Sequence, residues 1–297
     1  MNYHRRSPHN FLGLDSQPEN PKLKVVIFPV PYDATTSYKG GAREGPWAII
    51  EASRQVELYD IELNIDATET VAIETLPELA PSSDGPREVI EQIEKIGKDI
   101  IKQGSFPLML GGDHPIAIGM ARPLKRKYKQ LSVLQIDAHT DLRNTYEGSK
   151  YSHACPMRRI WEAGCDVVSV GIRSGTKEDL EFVKKKNAVM YFGDRFDVKG
   201  VLKGLGENVY ITIDLDGFDP SVVPAVGTPE PGGLSWEQVT GLLKEVIKAK
   251  NVVGADVVEL APIPGQHASD FLAARLVYKI ISFMTVLRGQ EVTVRSG

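Results

Sequence analysis

The chain predicts an α/β fold built around a mostly parallel sheet. Short runs rich in β-branched residues alternate with helix-like segments from end to end. Most of these runs lack strict apolar/polar alternation, as expected of strands buried on both faces. No linker, second composition regime or repeat of roughly 20–50 residues breaks the alternation. Strands are expected at 24–30, 106–110, 132–137, 166–170, 188–192, 209–214 and 253–260. Helices are expected at 47–56, 86–103, 116–129, 177–186, 236–249 and 268–287. The second helix starts in the ordinary way, with Ser82, Ser83 and Asp84 before Pro86 in its first turn. The last carries the most apolar stretch, Phe271 to Leu287, but Arg275 and Lys279 interrupt it. It therefore reads as a core or subunit-facing helix and not as a membrane span. The Pro/Gly-rich stretch from Val223 to Gly233 is a loop directly after a strand.

The chain has 297 residues, 42% of them hydrophobic and 25% charged, which suits a large buried core. Residues 1–21 read as a polar N-terminal arm and residues 22–297 as a single domain. A net charge of −4 argues against nucleic acid as the partner. The basic run Arg122 to Lys129 reads as a solvated helix face. Cys155 and Cys165 are the only cysteines, and no secretory signal segment opens the chain, so a reducing cytoplasm is expected.

Three segments concentrate carboxylates and imidazoles: Gly111-Gly112-Asp113-His114, Asp137-Ala138-His139-Thr140-Asp141 and Asp214-Leu215-Asp216. Each follows an expected strand, as does Glu259 after Asp256-Val257-Val258. Sites of open α/β sheets lie beyond the carboxyl ends of the strands, so all four segments meet at one edge. Residues two apart on a strand running into a loop point the same way, which aims Asp137, His139 and Asp141 at one point and repeats with Asp214 and Asp216. One Asp-x-His or Asp-x-Asp pair is usually a turn or cap. Three of them at strand ends, buried, repel strongly unless cations sit among them. Four carboxylates against two divalent ions bring the site near neutrality, and paired metals usually mean hydrolysis. Oxygen and imidazole donors without thiolate favour Mn²⁺, with Zn²⁺, Co²⁺ and Ni²⁺ left open. His4 and His9 receive no role, and His267 reads as a helix-start residue.

Together with Asp-Leu-Asp-Gly-Phe-Asp-Pro at 214–220, Gly-Thr-Pro-Glu-Pro-Gly-Gly-Leu at 227–234 and Asp-Val-Val-Glu at 256–259, these segments resemble the ureohydrolase family of arginase and agmatinase. Pro31 to Tyr38 and Gly41 to Pro46 resemble the agmatinase branch in particular. The resemblance implies a three-layer α/β/α fold with an eight-stranded, mostly parallel sheet. It implies two Mn²⁺ per chain, one held by His114, Asp137, Asp141 and Asp214, the other by His139, Asp137, Asp214 and Asp216. It also implies a proton-transfer role for His153, a guanidinium grip for Glu259, support of that carboxylate by Thr228, and a trimer or hexamer. Pro115, Ala154 and Cys155 depart from the family pattern without removing a ligand. Cys155 reads as a small buried hydrophobe and not as a nucleophile.

The chemistry implied is hydrolysis of a guanidinium to urea and a primary amine. Glu259 orients the cation, Asp141 passes a proton to the leaving amine, and His153 exchanges protons with solvent. The loop 142–151 differs from the arginase loop that reads an amino acid, and its Tyr146 and Glu147 are expected to meet a distal ammonium by cation–π or ionic contact. Agmatine is the first expectation among small cationic guanidino substrates, with aminopropylagmatine and guanidinobutyrate as relatives. Alternatives are a formimidoylglutamase-type hydrolase with the same metal core, a two-metal phosphatase (no phosphate-cradling loop is apparent), and a metal-loaded scaffold without turnover.

Overall fold

The structure, a computed structural model, describes residues 8–288. In chain order its strands are β1 (Leu23–Val30), β2 (Tyr59–Asp60), β3 (Ile65–Asp66), β4 (Val71–Thr75), β5 (Phe106–Gly111), β6 (Leu131–Ile136), β7 (Asp166–Ile172), β8 (Val189–Phe192), β9 (Asn208–Asp214) and β10 (Asn251–Val258). Its α-helices are α1 (Gly45–Ser53), α2 (Pro86–Lys102), α3 (Ile116–Lys127), α4 (Pro156–Glu162), α5 (Lys177–Lys186), α6 (Val198–Gly204), α7 (Trp236–Ala249) and α8 (Ala268–Leu287).

Eight strands form one sheet in the order β4-β1-β5-β10-β9-β6-β7-β8, and every pairing in it is parallel. Each face is apolar. In β1, Val25 and Ile27 join the core beneath α1, α7 and α8, while Val26, Phe28 and Val30 join the core beneath α2, α3 and α4. This is why the strands read as continuous apolar runs, and it yields the expected three layers.

Several elements were not expected. β4 is an edge strand with the half-buried sequence Val-Ala-Ile-Glu-Thr. β2 and β3 form a separate antiparallel pair, and α4 and α6 are helices of 7 residues each. The β2 end explains the charges inside α8. Lys279 is buried at 5% exposure and places Nζ 2.9 Å from both Asp60 oxygens and 2.6 Å from Glu62 Oε2. Arg275 donates to the Glu57 carbonyl at 2.8 Å. α8 is thus largely a core helix, and no helix among the described residues is long and apolar enough to cross a membrane.

Within the polar N-terminal stretch, Phe11 and Leu12 are buried, with the Leu12 amide donating to Ser53 Oγ at 2.8 Å. His4 lies outside the described residues. Arg122 to Lys127 of the basic run form the C-terminal part of α3, where positive side chains complement the helix dipole, and Arg126 pairs with Glu94 at 2.5 Å.

Candidate active site

Four adjacent strands at the centre of the sheet deliver the site. His114 follows β5, Glu259 follows β10, Asp214 closes β9 and Asp137 follows β6. Their carboxyl ends open on a cavity of about 240 Å³ whose walls include His114, His139, Asp141, Asp214, Asp216, Glu259, His153 and Thr228.

The expected ligands come together in two overlapping groups. Donor atoms of His114, Asp137 and Asp141 lie within 4.8 Å of one another, as do those of Asp137, His139 and Asp216. Asp137 belongs to both. Asp214 joins the first, its Oδ2 lying 3.3 Å from His114 Nδ1 while its Oδ1 accepts the Asp216 amide at 2.9 Å. His139 Nδ1 faces Asp216 Oδ2 at 2.8 Å. The Asp137 oxygens are oriented from behind by Gln135 Nε2 at 2.8 Å and the His139 amide at 2.6 Å.

His114 supplies the test of whether cations fit. Its Nε2 lies 2.9 Å from Thr212 Oγ1, and Thr212 gives its single hydroxyl proton to Asp256 Oδ1 at 2.6 Å. Thr212 must therefore accept from Nε2–H, which in a neutral ring leaves the Nδ1 lone pair bare. That nitrogen is buried without a hydrogen-bond partner, at 3.0 Å from Asp141, 3.2 Å from Asp137 and 3.3 Å from Asp214. A lone pair facing three carboxylates is repulsive unless a positive charge lies between them, so the donor set fits divalent cations. Tyr210 also donates to Asp256, completing the support beneath the imidazole.

Without cations the cluster gathers protons instead. Burial, then repulsion from Asp141 and Asp216, pushes Asp137 up to about 7. Burial raises Asp214 and Glu259 well above the carboxylate range, helped by neighbouring acids. Burial pulls both imidazoles down, but the carboxylates outweigh it, lifting His139 to about 10 and His114 well above its ordinary value. Asp216 moves the other way, because the contacts with His139 outweigh its burial.

The sign for stability follows. Asp137 titrates near 3.8 unfolded and about 7 folded, and His139 near 6.5 unfolded and about 10 folded. The folded, cation-free chain thus holds more protons than the unfolded chain across this range, so these groups lose stability as pH rises from about 4 to 10. Asp216 adds a contribution of opposite sign only in acid, below its unfolded value. Cations displace the protons, so Mn²⁺ is expected to raise the melting temperature more at about pH 8.5 than at about pH 6. Thermal melts with and without Mn²⁺ check this; an equal gain at both pH values would contradict it.

Two functional candidates have left-handed backbones, Asp141 with φ 53° and Glu259 with φ 67°. Such conformations cost roughly 1–3 kcal/mol in a non-glycine residue and persist where surrounding contacts hold them. The Asp141 carbonyl accepts from Arg158 N at 3.2 Å, and Glu259 N donates to the Gly112 carbonyl at 2.9 Å. Glu259 Oε1 accepts the His114 amide at 2.6 Å, and Thr228 lines the same cavity.

The loop residues are distributed differently from expectation. Tyr146 lines the cavity, but its ring already carries the Arg143 guanidinium, 4.9 Å from the centroid, where a substrate ammonium was expected. Glu147 is not among the lining residues. It sits with Gly148 in a two-residue turn closed by paired Tyr146 and Ser149 hydrogen bonds at 2.9 Å, with φ of 48° and 79°, and this turn leaves Glu147 exposed. Cys155 is buried and its thiol is pushed up to about 11 by burial, which keeps it protonated. Sequence reasoning did not single out Arg143, Ser37 or Asp179, all in the cavity wall, or Glu230, whose Oε1 lies 3.9 Å from His139 Nε2. It also passed over Arg173, which staples the following loop through the carbonyls of Asp216 at 2.7 Å, Phe218 at 3.1 Å and Glu230 at 2.7 Å.

The model of the arginase family matches residues 23–282. The chain is 36% identical over 288 residues to an N(1)-aminopropylagmatine ureohydrolase of Synechocystis, covering 93% of this chain and 94% of that one. It is 36% identical over 263 residues to an agmatinase of Pyrococcus horikoshii, covering 86% and 90% of the two chains. Among solved structures it superposes on the agmatine ureohydrolase of Thermoplasma volcanium with a TM-score of 0.77 at 31% identity, covering 89% of this chain and 90% of that one. The family model runs through all four strand tips that build the cavity, and the chain belongs to the arginase family as a ureohydrolase of the agmatinase type.

Proposed function

We propose that this chain hydrolyses the guanidinium group of agmatine or its N(1)-aminopropyl derivative, giving urea and a primary amine, with two Mn²⁺ held by His114, Asp137, His139, Asp141, Asp214 and Asp216. The observation that carries this reading is the Glu259 carboxylate, half-buried and held by the His114 amide in the wall of the same cavity as the ligand cluster. A carboxyl held protonated by desolvation and by neighbouring acids ionises when a cation comes to face it, and a planar guanidinium offers parallel N–H donors. The names of the relatives supply the rest of the substrate, a guanidinium on an alkyl amine.

Divalent cations bound here would polarise water and lower its pKa, making it nucleophilic at neutral pH. Glu259 accepts two N–H bonds of the guanidinium and so fixes the central carbon in the cavity. Addition of water to that carbon makes it tetrahedral. Asp141 accepts the proton released by the water and returns it to the departing nitrogen, and collapse yields urea and the amine. His153 carries protons between the cavity and solvent, and its Nε2 lies 3.4 Å from Ser37 Oγ in the cavity wall. With Cys155 and Cys165 both free and buried, a reducing cytoplasm belongs to this reading.

Arg143 in the cavity wall favours a second reading, a guanidino acid whose carboxylate would pair with that side chain. A panel of agmatine, aminopropylagmatine, arginine, guanidinobutyrate and formiminoglutamate with Mn²⁺, scored for urea, separates the two. Urea from the amines with little from the acids is expected. Preference for guanidinobutyrate, or ammonia and formamide from formiminoglutamate, would overturn the amine reading. No product from any member would overturn the function.

A further inference from the structure

His153 hangs from one residue of a distant segment. Its amide donates to Thr35 Oγ1 at 2.9 Å, and its ring Nδ1 lies 2.5 Å from the Thr35 carbonyl oxygen. A carbonyl only accepts, so Nδ1 carries a proton and the neutral ring keeps its lone pair on Nε2, the nitrogen beside Ser37. The Tyr146 ring packs edge-on against the imidazole, with centroids 5.4 Å apart at 81°.

Thr35 is itself fixed by Asp113. Its amide and its hydroxyl both donate to Asp113 Oδ2, each at 2.7 Å. The hydroxyl has one proton and gives it to the carboxylate, so its lone pair is what receives the His153 amide. The direction of the chain from His153 through Thr35 to Asp113 is therefore set by chemistry alone. Asp113 is fully buried, and its own amide donates to the Tyr32 carbonyl at 2.6 Å. A Cβ at Gly112 would lie 1.8 Å from that same carbonyl oxygen, so only glycine lets the two segments meet this closely.

The tie is not needed to close the loop that carries Thr35. Asp33 does that, accepting from Gly41 N at 2.9 Å and from Arg43 Nε at 2.5 Å. The Thr35 and Asp113 contacts instead join His153 to the turn that presents His114 and whose amide holds Glu259.

We propose that Thr35 and Asp113 are positioning residues for His153, fixing its tautomer and holding Nε2 toward the cavity. The inference rests on the reading of His153 as the proton carrier. The test compares Thr35→Val, Thr35→Ser and His153→Ala, and the Val and Ala changes combined, in the Mn²⁺-loaded enzyme with agmatine and aminopropylagmatine. Thr35→Ala serves as the second hydroxyl-free variant should valine disturb folding. His153→Ala alone is expected to slow kcat by about 10²–10⁴, the usual weight of acid–base help. Thr35→Val is expected to lower kcat by about 10–100-fold, a part of that contribution, with KM and metal content unchanged. Thr35→Ser restores the hydroxyl and should recover turnover. In the His153→Ala background the valine should cost nothing further. With diamagnetic Zn²⁺ in place of Mn²⁺, the ¹⁵N shifts of the His153 ring should report a hydrogen-bonded Nδ1–H in the parent and a loosened Nδ1–H contact in Thr35→Val.

Wild-type kcat in Thr35→Val, an equal loss in the His153→Ala background, or failure of serine to rescue would overturn the positioning role while leaving His153 in place. Full turnover in His153→Ala would remove both readings together.

Discussion

Asp137→Asn is expected to abolish metal retention and turnover together. Asp137 contributes donor atoms to both ligand groups, and it is completely buried. Its two oxygens are held by Gln135 and by the His139 amide, so no rotation brings a neighbour into its place. The amide removes one negative charge from a pocket that needs it to neutralise two cations, and it donates where a ligand must accept. Lewis-acid stabilisation is worth several kcal/mol. At about 1.36 kcal/mol per decade, turnover should fall by about 10³–10⁴ or more. Elemental analysis of the purified variant beside a urea assay measures both. A variant that kept two ions and turned over normally would refute the shared-ligand assignment.

Glu259→Gln is expected to separate chemistry from metal binding. The glutamine carbonyl still accepts the His114 amide, so the local fold is preserved. What it loses is the charge facing the substrate cation. Hydrogen bonds to charged groups contribute about 1.5–3 kcal/mol each. Losing the charge on a bidentate pair therefore predicts a fall of about 10²–10⁴ in kcat/KM. Metal content should match the parent, in contrast to Asp137→Asn. Steady-state kinetics with metal analysis checks this, and unchanged kcat/KM would take Glu259 out of substrate recognition.

The metal cluster was legible in the sequence because each part of it is local. Asp137, His139 and Asp141 lie within five consecutive residues, Asp214 and Asp216 within three, and each set follows an apolar strand. The strand order then brings the sets side by side, which the parallel alternation already implied through the shared carboxyl edge. β4 was not legible because an edge strand needs only one apolar face, and Val71-Ala72-Ile73-Glu74-Thr75 is short and half polar. α4 and α6 were too short for a helical period to show.

The positioning contacts were hidden for a different reason. Thr35 meets Asp113 across 78 positions and His153 across 118, so nothing in either neighbourhood announces the other. The expectation for Glu147 failed on backbone geometry. Two successive positive φ values turn the side chain outward, and a Glu-Gly dipeptide reveals that only once the flanking residues are known to pair. Tyr146 lines the cavity, but its resident cation, Arg143, was not foreseen.

Anomalous diffraction from crystals grown with Mn²⁺ examines the central assignment most directly. Two peaks per chain are expected, one touching His114, Asp137 and Asp141 and the other touching Asp137, His139 and Asp216. A single peak, or peaks that leave Asp137 outside the coordination of either ion, would contradict the account.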